Sequence, residues 1–247
     1  MADDGVTADT LLKGQVRLYQ PARGARMSLD PVLLAGFVAP PYGRFLDIGC
    51  GSGPISFLLL ARDPAATGVG VEIQPRLAAL AVRGRDENRW ETRLDVLDGD
   101  VRGLGERLGT DSFDLVVTNP PYRTVESSPP SPNPERALAF NEIALRLAEW
   151  VEVAARAVRP GGRVAAILPA GRSLELERAL RKGLLRPIRT RLVCPRAGAP
   201  ASRILVEARR DYGDVFVIEL VTEEPLIIHE PDGSFTPEVR RMLGETA

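Results

Sequence analysis

Only two of the 247 residues are cysteine, Cys50 and Cys194, and only one is histidine, His229. The cysteines are far apart and form no ligand-spaced pair, so neither a disulfide framework nor a zinc site is suggested. A single imidazole limits histidine-centred metal or triad chemistry. Net charge is almost absent too: 32 Lys and Arg stand against 33 Asp and Glu, for a total of −1. No chain-wide basic field advertises nucleic acid, so a polyanionic partner needs a local patch. Lysine itself is scarce, since 30 of the 32 basic residues are Arg, a bias read as genome composition. Long apolar runs are missing as well. No stretch approaches the roughly 18 uninterrupted apolar residues of a membrane span, and the acidic first segment, Met1 to Gly14, has no signal-type apolar core. A cytoplasmic protein with no membrane or metal partner is predicted.

What is present is a globular composition, 44% apolar and 26% charged, enough for a sizeable core in one domain. From Phe45 onward, β-rich runs alternate with helical stretches: Phe45 to Ile48, Gly68 to Ile73, Arg93 to Leu97, Phe113 to Thr118 and Arg163 to Leu168. That alternation predicts an open α/β sheet with helices on both faces. Two further runs, Ile188 to Cys194 and Arg203 to Ala208, are joined by the short connection Pro195 to Ala201. They complete seven strands, mostly parallel, with the last one antiparallel. Leu138, Ile143, Leu147, Trp150, Val151 and Ala154 form a helical apolar stripe belonging to the core, and Arg159-Pro160-Gly161-Gly162 stops that helix. Residues 1–43 are expected to be an N-terminal extension packed on the core, with 44–247 as a single α/β domain. The four prolines of Ser127 to Pro134 exclude a helix and predict an extended loop, placed after Tyr122 as a substrate lid.

The strongest motif is Asp47-Ile48-Gly49-Cys50-Gly51-Ser52-Gly53, an acidic strand end followed by alternate glycines, opening a helix at Pro54. Glycines let the backbone approach a ligand where side chains would clash. This is not the pyrophosphate fingerprint G-x-G-x-x-G, because the third glycine comes one residue early and a carboxylate precedes the loop. Asp47 suits a cationic amino-acid moiety rather than an anion. Glu72, ending the second strand, is placed to accept from ribose hydroxyls, and Asp100, after the third, from an adenine amino group. Together these features resemble the class I S-adenosylmethionine-dependent methyltransferases, whose motif is D-x-G-x-G-x-G with an acidic residue ending the second strand. The resemblance implies a Rossmann-like fold, S-adenosylmethionine as cofactor, and cofactor contacts at Asp30, Asp47, Gly49, Gly51, Gly53, Glu72, Asp100 and Asn119. Asp30 is also placed to cap the helix that starts at Pro31 while bordering the methionine end of the cofactor. Cys50 is read as a buried thiol without a catalytic role, and His229 as a packed tail residue.

Asn119-Pro120-Pro121-Tyr122 directly follows the fourth strand. Its prolines fix an extended turn that leaves the Pro120 carbonyl unpaired by any helix, beside the Asn119 amide oxygen and the Tyr122 ring. Two acceptors and a stacking face suit an amino group whose lone pair is delocalised into a ring or carbonyl. Pulling on its hydrogens favours a more tetrahedral nitrogen, whose lone pair then attacks a sulfonium methyl held in line. In known methyltransferases N-P-P-Y marks transfer to planar amino nitrogens: adenine N6, guanine N2, cytosine N4 or the glutamine amide. Asn119, Pro120, Pro121 and Tyr122 are therefore the candidate catalytic residues.

The leader from Tyr19 to Ala35, with Gln20-Pro21, Arg26 and Asp30-x-x-Leu33-Leu34-Ala35, resembles that of the tRNA adenine-N6 methyltransferases acting 3′ to the anticodon of a valine tRNA. Glu142, Arg159 to Arg163, Pro200 to Glu207 and the tail Pro225 to Thr236 extend the likeness, which implies tRNA as the partner. Charge along the chain agrees: between Arg172 and Arg210, eleven Lys or Arg accompany only Glu175, Glu177 and Glu207, a local excess of +8. Arg181, Lys182 and Arg186 there, with Arg23 and Arg26 in the leader, are the candidate RNA contacts. Glutamine methylation of a release factor shares N-P-P-Y but has no use for the basic stretch and usually brings a longer N-terminal recognition domain. Methylation of DNA adenine ordinarily needs a target-recognition domain, and a degenerate, non-catalytic RNA binder would not keep both motifs intact.

Overall fold

The computed structural model describes residues 5–23, 26–120, 145–211 and 219–245. An antiparallel hairpin of β1 (Val6–Leu11) and β2 (Val16–Pro21) comes first. Eight strands then form one sheet: β3 (Arg44–Ile48), β4 (Thr67–Glu72), β5 (Leu94–Asp98), β6 (Phe113–Thr118), β7 (Val158–Pro169), β8 (Leu185–Arg196), β9 (Arg203–Arg210) and β10 (Val221–His229). Their spatial order is β10-β8-β9-β7-β6-β3-β4-β5, and β9 alone runs antiparallel to its neighbours. The helices are α1 (Asp30–Phe37), α2 (Pro54–Arg62), α3 (Pro75–Glu87), α4 (Gly105–Leu108), α5 (Leu147–Ala157), α6 (Ser173–Lys182) and α7 (Pro237–Met242).

Strand alternation divides the core in two. Phe45, Leu115, Val117, Ala165 and Ile167 pack with the apolar residues of α1, α2 and α7. Their strand neighbours Leu46, Val116, Val164 and Ala166 pack on the other face with α5 and α6, where Trp150 is only 1% exposed. Burial on both faces is why these strands read as near-continuous apolar runs. Because β3, β4, β5 and β6 are parallel, Ile48, Glu72, Asp98 and Thr118 all end at one edge, where such sheets bind ligands.

Two elements depart from the seven-strand expectation. The eighth strand, β10, pairs in parallel with β8, so the antiparallel strand is the next to last. Pro225 disguises it, since proline cannot donate to a ladder; on this edge strand it falls inside a register shift between Glu223 and Leu226. The hairpin of the leader is equally unannounced. Its turn places Leu12 and Lys13 at φ 49° and 54°, conformations ordinarily signalled by glycine or asparagine. Helix α5 stops at Ala157, ahead of Arg159-Pro160-Gly161-Gly162, which forms the irregular start of β7 where the register with β6 shifts. Leu138, Ile143 and segment 127–134 lie outside the described residues. Among the described residues no helix is long and apolar enough to cross a membrane.

Candidate active site

The turn from β3 into α2 is built on glycine for two different reasons. Gly51 has φ 57°, lines a cavity at the strand ends, and would place a Cβ where nothing lies within 4 Å. Its bareness leaves open room for a ligand. Gly53 has φ 95°, and a Cβ there would sit 2.8 Å from the Phe57 ring, so its bareness serves the start of α2. Gly49 lines the cavity like Gly51, whereas Gly53 is not on its wall.

Asp47, the last but one residue of β3, is fully buried behind this turn. Its Oδ2 accepts from the Ser56 hydroxyl at 2.7 Å and the Ser56 N–H at 3.2 Å, while its Oδ1 has no hydrogen-bond partner among the described residues. Burial pushes the carboxyl pKa up to about 7, against the two Ser56 bonds and with some help from the charge of Glu72. Glu72 ties the glycine turn to β4: Oε2 accepts from the Gly51 N–H and Oε1 from the Gln74 N–H, both at 2.9 Å. Burial raises its pKa as well, despite those bonds. Asp100 lines the cavity beyond β5, where the Arg102 side chain donates to it and holds its carboxyl below the usual range.

The end of β6 completes the cavity. Thr118 Oγ1 donates to the Ile48 carbonyl at 2.9 Å, fixing the β6 exit against the β3 exit. Next to it, Asn119 and Pro120 line the cavity, and Asn119 Oδ1 is buried with no hydrogen-bond partner among the described residues. Ile73, Leu77 and Val101 give an apolar strip between Glu72 and Asp100, and Met27, Ser28 and Pro31 form another wall. The set fits a ligand with a flat apolar ring and vicinal hydroxyls, lying along a bare backbone turn that has an ionisable group behind it. That is the chemistry of S-adenosylmethionine.

Asp47, Glu72, Asp100 and Asn119, drawn from four strand exits, are thus brought to one place. Asp47 stands behind the turn and not on the cavity wall. The expected cap at Asp30 needs correction, and the candidate RNA contacts lie apart from one another. Asp30 is the first residue of α1 and caps nothing; the N-cap is Leu29, with no side-chain cap. The Asp30 carboxylate pairs instead with Arg203 at 3.1 Å, and it does not line the cavity. Arg26 does line the cavity, but its guanidinium is committed to Asp9, Thr7 and the Pro21 carbonyl. Arg23 is exposed. Arg181, Lys182 and Arg186 lie where α6 ends and β8 begins, at the edge of the sheet opposite the cavity, about one strand length away. There Arg181 pairs with Glu177 and Arg186 with Asp211. The +8 excess is largely cancelled in space, because Asp30, Asp111, Asp211, Glu223 and Glu238 arrive from outside the stretch to pair with Arg203, Arg210, Arg186, Arg189 and Arg191.

Pro121, Tyr122 and Glu142 lie outside the described residues. Ser56, which holds Asp47, and the wall residues Met27 and Ser28 carry no sequence signal of their own. Cys50 is buried, and burial raises its thiol pKa well above the ordinary value. His229 stacks on Phe235 with ring centroids 5.1 Å apart, its Nδ1 3.1 Å from the Gly233 carbonyl oxygen.

Comparison with known proteins bears on the same residues. A family model for the methyltransferase small domain matches residues 29–132, from α1 through the Asn119 turn. A tRNA1(Val) (adenine(37)-N6)-methyltransferase of Porphyromonas gingivalis is 32% identical over 226 residues, covering 88% of this chain and 86% of the relative. One from Glaesserella parasuis is 30% identical over 193 residues, covering 77% and 79%. Among solved structures, a predicted O-methyltransferase of Agrobacterium tumefaciens superposes with a TM-score of 0.69 at 25% identity, covering 88% of this chain and 98% of that one. The glycine turn, the acidic strand exits and the Asn-Pro turn therefore stand in a chain that belongs to the family of the tRNA1(Val) (adenine(37)-N6)-methyltransferases.

Proposed function

We propose that this chain transfers a methyl group from S-adenosylmethionine to N6 of the adenosine 3′ to the anticodon of a tRNA. Gly49, Gly51, Glu72 and Asp100 would hold the cofactor, with Asp47 and Ser56 bracing the turn from behind. When bound, the cofactor supplies an electrophilic methyl on a sulfonium sulfur. The chain's part is to present a nucleophile to it. The N6 lone pair of adenine is delocalised into the ring, and an acceptor drawing on an N6 hydrogen restores tetrahedral character and frees that pair. With the cofactor in place, Asn119 would hold N6 toward the methyl donor, and the proton that N6 loses on methylation would be released to water. A nucleotide of the anticodon loop is already single-stranded, so it reaches the cavity without the cost of opening a duplex.

The observation that carries this reading is Asn119 Oδ1, a buried acceptor without a partner among the described residues, on a residue that lines the same cavity as the glycine turn. An unpaired buried acceptor costs about 1–3 kcal/mol, a cost that a bound amino group would remove. The test is nucleoside mass spectrometry of unmodified tRNA incubated with the protein and S-adenosylmethionine. N6-methyladenosine should form with the parent chain and about 100-fold more slowly with Asn119→Ala. Methyl transfer to a glutamine of a release factor, or to another base, would overturn the assignment.

A further inference from the structure

The hairpin of β1 and β2 buries one face in the core, where Leu11, Val16 and Leu18 pack with α1 and α2. By the strand register, Thr7, Asp9 and Gln20 continue that inward face, yet they are polar. Packing alone gives no reason for the switch. The cavity does: Arg26 and Met27, which with Ser28 form its wall, are held from these three residues. Asp9 Oδ2 accepts from Thr7 Oγ1, Gln20 Nε2 and Arg26 Nη2, each at 2.9 Å. Gln20 is 4% exposed and uses its other end as well, its Oε1 accepting from the Met27 N–H at 2.6 Å. Arg26 Nη1 adds bonds to Thr7 Oγ1 at 2.7 Å and to the Pro21 carbonyl at 3.0 Å. Burial works to raise the Asp9 pKa, but the bonds from Thr7, Gln20 and Arg26 and the guanidinium charge overcome it, so the group lies below its ordinary value and is ionised at neutral pH.

We infer that Asp9 and Gln20 are positioning residues that clamp Arg26, Met27 and Ser28 as a wall of the cofactor cavity, and that Arg26 is the post of this clamp rather than a contact for RNA phosphate. The inference rests on the reading of the cavity as the S-adenosylmethionine site. A wall that is in place only part of the time lowers apparent affinity by that fraction, so loosening the clamp acts on cofactor binding before it acts on the chemical step.

The test uses the full chain with Asp9→Asn and Gln20→Met. Isothermal calorimetry should show the Kd for S-adenosylmethionine raised about three- to tenfold, the scale of one charge-assisted bond between half-exposed partners. Single-turnover transfer at saturating cofactor should stay within about twofold of the parent. Hydrogen exchange should rise at the Met27 amide, whose acceptor is Gln20. Arg17→Gln, on the same hairpin but facing Glu87 on α3, is the control and should leave the Kd unchanged. Arg26→Gln should raise the Kd and leave the salt dependence of tRNA binding as in the parent. Unchanged cofactor affinity in Asp9→Asn and Gln20→Met, whatever happens to exchange or melting temperature, overturns the clamp, as does a shallower salt dependence in Arg26→Gln. Failure of the cavity assignment would look different: Gly51→Val would then bind the cofactor as the parent does.

Discussion

Asp47→Asn should make the cofactor-free protein more stable, and more so the higher the pH. The buried carboxyl has its pKa raised to about 7, against an ordinary 3.8. Between pH 4 and pH 7 the folded chain keeps a proton on Asp47 that the unfolded chain has released. Stability therefore falls as pH rises through this window and levels off above it. About three pH units at about 1.4 kcal/mol each set an upper value near 4 kcal/mol. Asparagine is nearly isosteric, keeps an acceptor for Ser56 and carries no charge to desolvate. The variant's stability minus the parent's should thus grow by about 2–4 kcal/mol from pH 4 to pH 8. Urea titrations at five pH values would measure it. Asp9, Asp100, Asp114 and Glu238, whose pKa values are lowered and which stabilise the fold above their unfolded pKa, act with the opposite sign in both proteins and cancel in the difference. A difference that stays flat within about 0.5 kcal/mol would refute the reasoning, since the orphaned Oδ1 would then not be governing a proton.

Gly51→Val puts a β-branched side chain at φ 57° with open space around it. Backbone strain should cost only about 1–2 kcal/mol of stability, while calorimetric affinity for S-adenosylmethionine falls about 100-fold or more as the side chain fills the cradle. Asn119→Ala should slow single-turnover methyl transfer by about 100-fold with cofactor Kd within about twofold, the scale for losing one aligned polar group, and Asn119→Asp should retain more of the rate because an oxygen still accepts. Neutralising Arg181, Lys182 and Arg186 together should leave the salt slope of tRNA binding unchanged, since they sit at the far edge of the sheet and two of them are ion-paired; a slope shallower by two or more would return that surface to the RNA. Cys50 should resist iodoacetamide at pH 8 in the native state and react on unfolding, as monitored by mass spectrometry, because burial keeps it a thiol.

The sites that could be read from the chain were those placed by strand exits. In a parallel sheet every exit falls on the same edge, so Asp47, Glu72, Asp100 and Asn119 converge by topology alone once the strands are recognised. Arg26 was legible as a residue beside the site but not in its role, because its partners Thr7 and Asp9 lie on a hairpin whose turn has no ordinary signal. The basic stretch looks more charged along the chain than in the fold for a related reason. A count along the chain sees Glu175, Glu177 and Glu207 but cannot see Asp30 or Glu238, which reach Arg203 and Arg191 only through the fold. β10 escaped because Pro225 argues against a strand everywhere except at an edge.

Helix α1 begins at the cavity wall, and it is secured by residues made much later. Arg203 pairs with Asp30 at its first turn, and α7 packs so closely on it that a Cβ at Gly36 would lie 2.6 Å from the Met242 side chain. Gly244 in turn approaches the hairpin backbone at Leu12, where a Cβ would come within 2.9 Å. A ribosome releasing this chain would therefore have exposed the glycine turn, Glu72 and Asn119 well before the segment that locks α1 exists. Contacts of such wide sequence separation slow folding and come last. The cavity wall at the start of α1 is thus completed only once residues 203–244 are there to hold it.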